Sequence, residues 1–177
     1  LFNKRIDEKH GMKQACRTVL IFALIFLSGC GYHLRGSIDI PESLKNVYVF
    51  GASGPLQTEM VAMLRASKGK LSASPNDAGV VVKILKEDLS TRVLSIGATG
   101  KSNESELNYY LRFQFYDNEE NPMMDEQTIE MAREFFNDQT AVLAKTNEEQ
   151  LIRKEIYKQA ARMLMARARV AVDNQKK

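Results

Sequence analysis

Cys30 closes the run Leu27-Ser28-Gly29-Cys30, directly behind the apolar stretch Val19–Phe26 and a basic flank of Lys13 and Arg17. A basic flank, an apolar run and small residues ahead of a cysteine form the pattern of a cleaved lipoprotein signal. Its chemistry is acylation: the Cys30 thiol takes diacylglycerol, and the amine freed by cleavage takes a third acyl chain. The nine apolar residues Val19–Leu27 cover at ~1.5 Å each less than half of a roughly 30 Å hydrocarbon core, so the run is a cleaved segment and not a span. Each buried methylene contributes ~0.8 kcal/mol and a single myristoyl chain already binds marginally, so three chains hold a protein at a bilayer. The covalent lipid on Cys30 is the only prosthetic group expected.

Little else after the signal could make or break bonds. His33 is the one histidine beyond residue 29, and Cys16 leaves with the signal, so His-dependent triads, cysteine nucleophiles and most zinc sites are excluded. Glu119-Glu120 and Glu148-Glu149 fall in an expected turn and an expected first helical turn, where carboxylates favour solvent or the helix dipole. The segment Ser95-Ile-Gly-Ala-Thr-Gly100-Lys101-Ser102 nearly matches the phosphate loop G-x-x-x-x-G-K-[ST]. Ser95 replaces its first glycine, however, and a period-two strand follows where that motif requires a helix N-terminus. A glycine-containing hairpin turn accounts for the same residues, and no nucleotide is expected. Asn103-Glu104-Ser105 fits a glycosylation acceptor, which carries no meaning in a bacterial lipoprotein.

The elements that would position any remaining site follow from periodicity. Val47–Phe50 is a β-branched and aromatic run that stops at Gly51, hence a strand. Gly54-Pro55 opens a helix whose apolar stripe is Leu56, Met60, Met63 and Leu64, ending by Gly69. The polar connector 72–79 leads to Val80–Lys86, whose β-branched character fades toward Val93-Leu94, so this strand is expected to be long and to admit a bulge. From Leu107 to Tyr116 the alternation is clean: Leu107, Tyr109, Leu111, Phe113 and Phe115 share one face, opposite Asn108, Tyr110, Arg112, Gln114 and Tyr116. Such a pattern marks an antiparallel strand with one solvated face. Asp117–Pro122 turns the chain into a strand over Gln127–Phe136, where Ile129, Met131 and Phe135 face inward and Arg133 interrupts them. Thr146 and Glu149 form a capping box ahead of a helix with Ile152, Ile156, Ala160, Met163 and Leu164 on one face, running to about Val172. Its basic face, with Arg153, Lys154, Lys158, Arg162 and Arg169, reads as solvated.

The order β-α-β-β-β-α predicts an α+β two-layer sandwich with two helices on one face of a four-stranded mixed sheet. The first two strands join by a right-handed parallel crossover and the others form a meander. That topology brings the turn 95–106, with Lys101, and the connection 137–147, with Lys145, to one end of the molecule. Residues 1–11 read as an upstream extension before Met12, 12–29 as the signal, 30–45 as a lipidated tether reaching at most roughly 50 Å, 46–172 as one sandwich domain, and 173–177 as a frayed tail. Removing residues 1–29 takes Lys4, Arg5, Lys9, Lys13 and Arg17 against Asp7 and Glu8, leaving 20 basic and 20 acidic residues of the original 25 and 22. An electrically balanced chain gives no basis for nucleic-acid binding. With no second thiol left to pair, the domain must be held by its core.

Cys30-Gly31-Tyr32-His33-Leu34-Arg35, Gly54-Pro55-Leu56, Phe135-Phe136-Asn137 and Ala144-Lys145-Thr146-Asn147-Glu148 together resemble the LPS-assembly lipoprotein family LptE, formerly rare lipoprotein B. The likeness covers essentially the whole chain after the signal. It implies a non-enzymatic lipoprotein on the periplasmic side of the Gram-negative outer membrane, which plugs and helps assemble the β-barrel LPS translocon LptD and binds LPS. It further implies that Cys30 carries lipid and that Lys145 meets LPS, together with a basic residue of the long hairpin, Lys101 first and Arg92 second. Gly31 is not the aspartate that retains lipoproteins in the inner membrane in enterobacteria-like sorting, which fits outer-membrane delivery. Two other readings stay open: a free periplasmic lipid or LPS carrier, which needs an apolar pocket, and a nucleotide-dependent enzyme, which needs ATP binding at Gly100-Lys101-Ser102.

Overall fold

In the computed structural model the described residues are 40–97, 100, 102–136 and 142–175, with backbone only at 102 and 142–146. Cys30, the signal, the tether up to residue 39 and Lys101 therefore lie outside the described residues. Residues Ser37–Lys177 form one compact unit.

A 3-10 turn over Glu42–Lys45 leads into strand β1 (Asn46–Phe50), followed by helix α1 (Gly54–Ala66) and the two-residue strand β2 (Lys70–Leu71). Strands β3 (Val80–Ile96), β4 (Ser102–Tyr116) and β5 (Gln127–Phe136) follow, then helix α2 (Val142–Gln175). The sheet order is β2-β1-β3-β4-β5. β1 is parallel to both β2 and β3, while β3, β4 and β5 form the antiparallel meander. The two helices and the mixed sheet are those expected, with one strand more. Lys70–Leu71 falls inside the connector after α1, and a two-residue strand is too short for any alternation to show.

Both helices bury their apolar stripes on one face of the sheet. Leu56, Met60 and Leu64 of α1, and Ile156, Ala160, Leu164 and Ala168 of α2, meet Val82, Leu107, Leu111, Phe113, Phe115 and Ile129 in a single core. Alanines at 160, 161, 168 and 171, all fully buried, let α2 lie close against the strands. Burial of a leucine-sized side chain contributes ~1.5–3 kcal/mol, so this core can carry the domain without cross-links. Gly79 is required by proximity: a Cβ there would strike the Ser43 carbonyl and lie 2.7 Å from Ser43 Cα.

Strand β3 changes face partway along. Val80, Val82 and Ile84 point to the helices, a register shift between Ile84 and Lys86 leaves Leu85 as the extra residue, and Glu87 and Leu89 then take the inward positions. This bulge, which the fading β pattern allowed for, puts a carboxylate under the start of α1. Glu87 accepts from the Ser53 backbone N–H at 2.7 Å, from the Ser53 hydroxyl at 2.6 Å and from the Tyr109 hydroxyl at 3.0 Å. Ser53 is the N-cap of α1 and its hydroxyl oxygen accepts from Leu56 N–H. The Tyr109 ring meets Tyr157 of α2 edge to face at 5.5 Å. One carboxylate thus ties the sheet to α1 and, through Tyr109, to α2.

Helix α2 starts earlier than its capping box implied. Thr146 is its fifth residue, not its cap, and Glu149 accepts from Arg153 at 2.7 and 3.0 Å, one turn on. Val142-Leu-Ala-Lys145 contains good helix formers and extends the helix by a turn ahead of the motif. At the other end α2 runs to Gln175, past the expected stop near Val172.

Candidate functional site

The hairpin β3–β4 is the longest feature of the sheet. β1 pairs with β3 only as far as Lys83, so the section from Lys86 to Ile96 stands beyond β1 and is flanked only by β4, with β5 on the far side. Ile96 pairs with Ser102 and Phe136 pairs with Glu104, so the β3–β4 turn and the exit of β5 lie at one end of the sheet. α2 begins six residues after Phe136, and Arg153 in its fourth turn donates to Thr91 Oγ1 at 3.3 Å. The expectation that this end gathers the turn and the helix entry agrees with that register.

The predicted binding residues distribute as follows. Arg92 lies on the helix-free face of the hairpin, its side chain 68 % exposed, and donates to Glu106 at 2.9 Å. Glu106 also accepts from Asn108, and that bond first, then the Arg92 charge, holds its carboxyl below the usual carboxylate range. Lys145 belongs to the first turn of α2, and its side chain lies outside the described residues, as does Lys101. The loop position expected for Lys145 is corrected to a helical one. A cation in a first turn is not favoured by the helix dipole. The phosphate-loop resemblance ends at Ser102, which opens strand β4, so no helix N-terminus follows Gly100-Lys101.

Sequence reading passed over the apolar component of this end. Val93, Ile96, Phe136 and Leu151 are 52 %, 68 %, 67 % and 64 % exposed, on β3, β5 and the early turns of α2. A second register shift, between Val93 and Ser95, also leaves Leu94 exposed in the hairpin. The one cue was the β-branched tail Val93-Leu94-Ile96, which strand periodicity absorbs. Arg92 and Phe136 share the helix-free face at this end, while Val93, opposite buried Ser105, lies on the helix side. An apolar side chain and a guanidinium on one face suit a ligand that has both acyl chains and anionic groups.

Apart from exposed Phe50, beside Lys83, the rest of the helix-free face is largely polar. Lys83 sits 4.3 Å above the Tyr116 ring and 3.6 Å from Glu120, Lys86 is 5.3 Å from the Tyr110 ring, and Arg112 lies 3.7 Å from Glu126. Of the basic residues on α2, Arg162 and Lys158 keep half-exposed side chains near Glu155, as a solvated face would. Arg167 differs and bonds the sheet edge at Thr128 O.

Comparison with known proteins is consistent across sequence and fold. A family model described as "LptE: Lipopolysaccharide-assembly" matches residues 42–168. The chain is 28 % identical over 159 residues to the LPS-assembly lipoprotein LptE of Photorhabdus laumondii, covering 87 % of this chain and 85 % of that protein. It is also 28 % identical over 152 residues to that of Pectobacterium atrosepticum, covering 83 % and 80 %. The rare lipoprotein B of Shewanella oneidensis superposes with a TM-score of 0.58 at 26 % identity, covering 73 % of this chain and 98 % of that one. Lipoprotein B of Nitrosomonas europaea superposes with a TM-score of 0.64 at 22 % identity, covering 81 % and 93 %, which bears on the fold alone.

Proposed function

This chain belongs to the LptE lipopolysaccharide-assembly family, and we propose that it is an outer-membrane lipoprotein, anchored through Cys30, that plugs and helps assemble the β-barrel LPS translocon LptD and binds LPS during delivery. Its role in LPS assembly follows from the family. The finer reading, a non-enzymatic subunit working by contact, is supported by the hairpin end of the sandwich, where exposed Phe136 and Arg92 share the helix-free face. The apolar side chains would take acyl segments, and Arg92, Lys101 and Lys145 would meet phosphate through charge-assisted hydrogen bonds. Among the described residues no helix is long and apolar enough to cross a membrane, so the lipid on Cys30 would supply the attachment.

A free carrier of LPS would need room to enclose several acyl chains. An apolar cleft between α1 and α2, beside Ile40, Met63 and Met165, holds about 240 Å³. Pockets for drug-sized ligands alone run to roughly 300–1,000 Å³. Both helices are spent on covering the sheet, which favours the plug over the carrier.

The test has two arms. Lys101→Asp with Lys145→Asp should reduce LPS binding at least tenfold, and adding Arg92→Gln should reduce it further, with the urea midpoint unchanged. Equal binding by wild type and triple variant would remove the site assignment. Affinity purification of the lipidated protein from outer membranes should bring down a stoichiometric β-barrel, and recovery of the lipoprotein alone would overturn the partner assignment. Mass spectrometry of the same material should find Cys30 acylated.

A further inference from the structure

The sheet leaves two long stretches open, Lys86–Ile96 of β3 beyond the end of β1, and β5. β2, at one side, has two residues, whereas β5, at the other, has ten and pairs only with β4. An unpaired strand of that length is a template for strand addition. In an antiparallel strand the N–H and C=O of alternate residues point the same way, and on β5 the outward set is Thr128, Glu130, Ala132, Glu134 and Phe136.

Two outward carbonyls are already occupied by arginine. Arg167 of α2 donates to Thr128 O at 2.7 Å, and Arg133 donates to Ala132 O at 2.9 Å. Both guanidinium groups are held from a second side: Arg133 donates to Gln159 Oε1 of α2 at 2.6 Å, and Arg167 lies 5.9 Å from the Phe113 ring centroid. This explains why an arginine interrupts the inward set Ile129, Met131 and Phe135. From an inward position at the sheet edge, Arg133 reaches both α2 and the strand's own outward carbonyl.

We propose that Arg133 and Arg167 guard this edge and prevent antiparallel β5–β5 pairing with a second copy of the chain. The self-pair is the relevant competitor because β5 meeting its own copy makes an isologous contact that closes as a dimer, whereas β5 against the open half of β3 is heterologous. Pairing centred on Ala132 would set Thr128 opposite Phe136, leaving both carbonyl acceptors claimed by arginine in each copy. It would also set Glu130 opposite Glu134, and like charges directly opposite disfavour pairing. The carboxylates therefore reinforce the guanidinium guard, and salt screening weakens their part of it.

Sedimentation velocity of the detergent-solubilised chain tests this against wild type in the same buffer. Wild type should sediment as one species over a hundredfold range of concentration. Arg133→Met/Arg167→Met should form dimers or larger species as concentration rises, more so in 0.5 M salt on the order of a ~4 Å screening length. Ala132→Pro in that background removes an outward N–H without touching the ladder to β4, and should restore the single species. Arg133→Lys/Arg167→Lys, which keeps a donor at each position, should stay unassociated. Should the double methionine variant lose its circular dichroism, the single variants Arg133→Met and Arg167→Met are read in the same assay. A folded methionine variant that stays unassociated at every concentration overturns the proposal. Association that Ala132→Pro does not reverse overturns it equally.

Discussion

Glu87 and Ser53, 34 residues apart in sequence, are joined twice: the carboxylate accepts the Ser53 backbone N–H at 2.7 Å and its hydroxyl at 2.6 Å. The bond to the hydroxyl leaves the Ser53 oxygen available to cap α1 at Leu56 N–H. Hydrogen bonds to a charged group contribute ~1.5–3 kcal/mol and an N-cap ~1 kcal/mol. Glu87→Ala should therefore lower unfolding stability by about 2–3 kcal/mol, because the Ser53 N–H and the Tyr109 hydroxyl lose their acceptor together. Ser53→Ala should cost less, and the double variant should cost less than the sum. Urea unfolding of the four chains checks this, and strict additivity would mean the two residues do not act as a pair.

The same cluster predicts an alkaline limit. Burial, then the charge and hydrogen bond of Glu87, push the Tyr109 hydroxyl well above its ordinary value of 10.0. Tyr157 is raised too, by burial first and then by Glu87, against the opposing effects of Arg153 and Ser53. A folded-state pKa above the unfolded one means that the native chain binds the proton more tightly, so this stability is fully present below the unfolded value near 10 and is lost as pH rises toward the folded value. The urea midpoint should hold from pH 8 to pH 10 and fall above it. Tyr109→Phe should give up ~1 kcal/mol at neutral pH and flatten the alkaline fall. A fall as steep as wild type would place its origin elsewhere.

What could be read from sequence was whatever repeats. Turn residues and alternation agree on β5 at Gln127 and Phe136 and on the end of β4 at Tyr116, but β4 starts at Ser102, five residues before the expected Leu107, because Ser102–Glu106 is polar throughout and shows no alternation. Lys70–Leu71 has no period to detect, and Val142–Lys145 precedes the start that sequence predicts for α2 because Thr146 and Glu149 mimic a cap while serving as helix interior. For the site, charge was legible and exposure was not. Arg92 could be named, but Ile96 and Phe136 look like any strand residue until the sheet shows that nothing covers them.

Leu85 offers a test of the bulge. It is the residue by which β3 outruns β4, and by bulging out it lets Ile84 and Glu87 both face the helices. Deleting it would restore plain alternation, with Ile84 and Glu87 still facing inward, Lys86 still outward opposite Arg112 and the ladder to β4 unshifted. The deletion should therefore cost less than Glu87→Ala, ~1–2 kcal/mol, from straightening a strand that the bulge bends while Glu87 keeps its inward position. Leu85→Ser, which keeps the residue count and changes a partly exposed side chain, should stay within ~0.5–1 kcal/mol of wild type. A deletion that costs more than Glu87→Ala would show that the bend made by the bulge, and not alternation alone, places the carboxylate under α1.

The exposed apolar residues separate function from stability most directly. Ile96 and Phe136 are each about two-thirds exposed, so they contribute little to the core, and Ile96→Ser/Phe136→Ser should leave the urea midpoint within the spread of surface substitutions, ~0.5 kcal/mol. If this end receives the acyl part of LPS, the same variant should bind LPS several-fold more weakly, with the loss persisting at high salt because it is hydrophobic. The charge variants Lys101→Asp/Lys145→Asp should show the opposite salt behaviour, their deficit shrinking as ionic strength rises. Measuring both variants across a salt series therefore resolves the two halves of the surface. A serine variant that binds LPS as wild type does, at low and high salt alike, would leave the hydrophobic end with no part in the ligand and return those side chains to the protein partner.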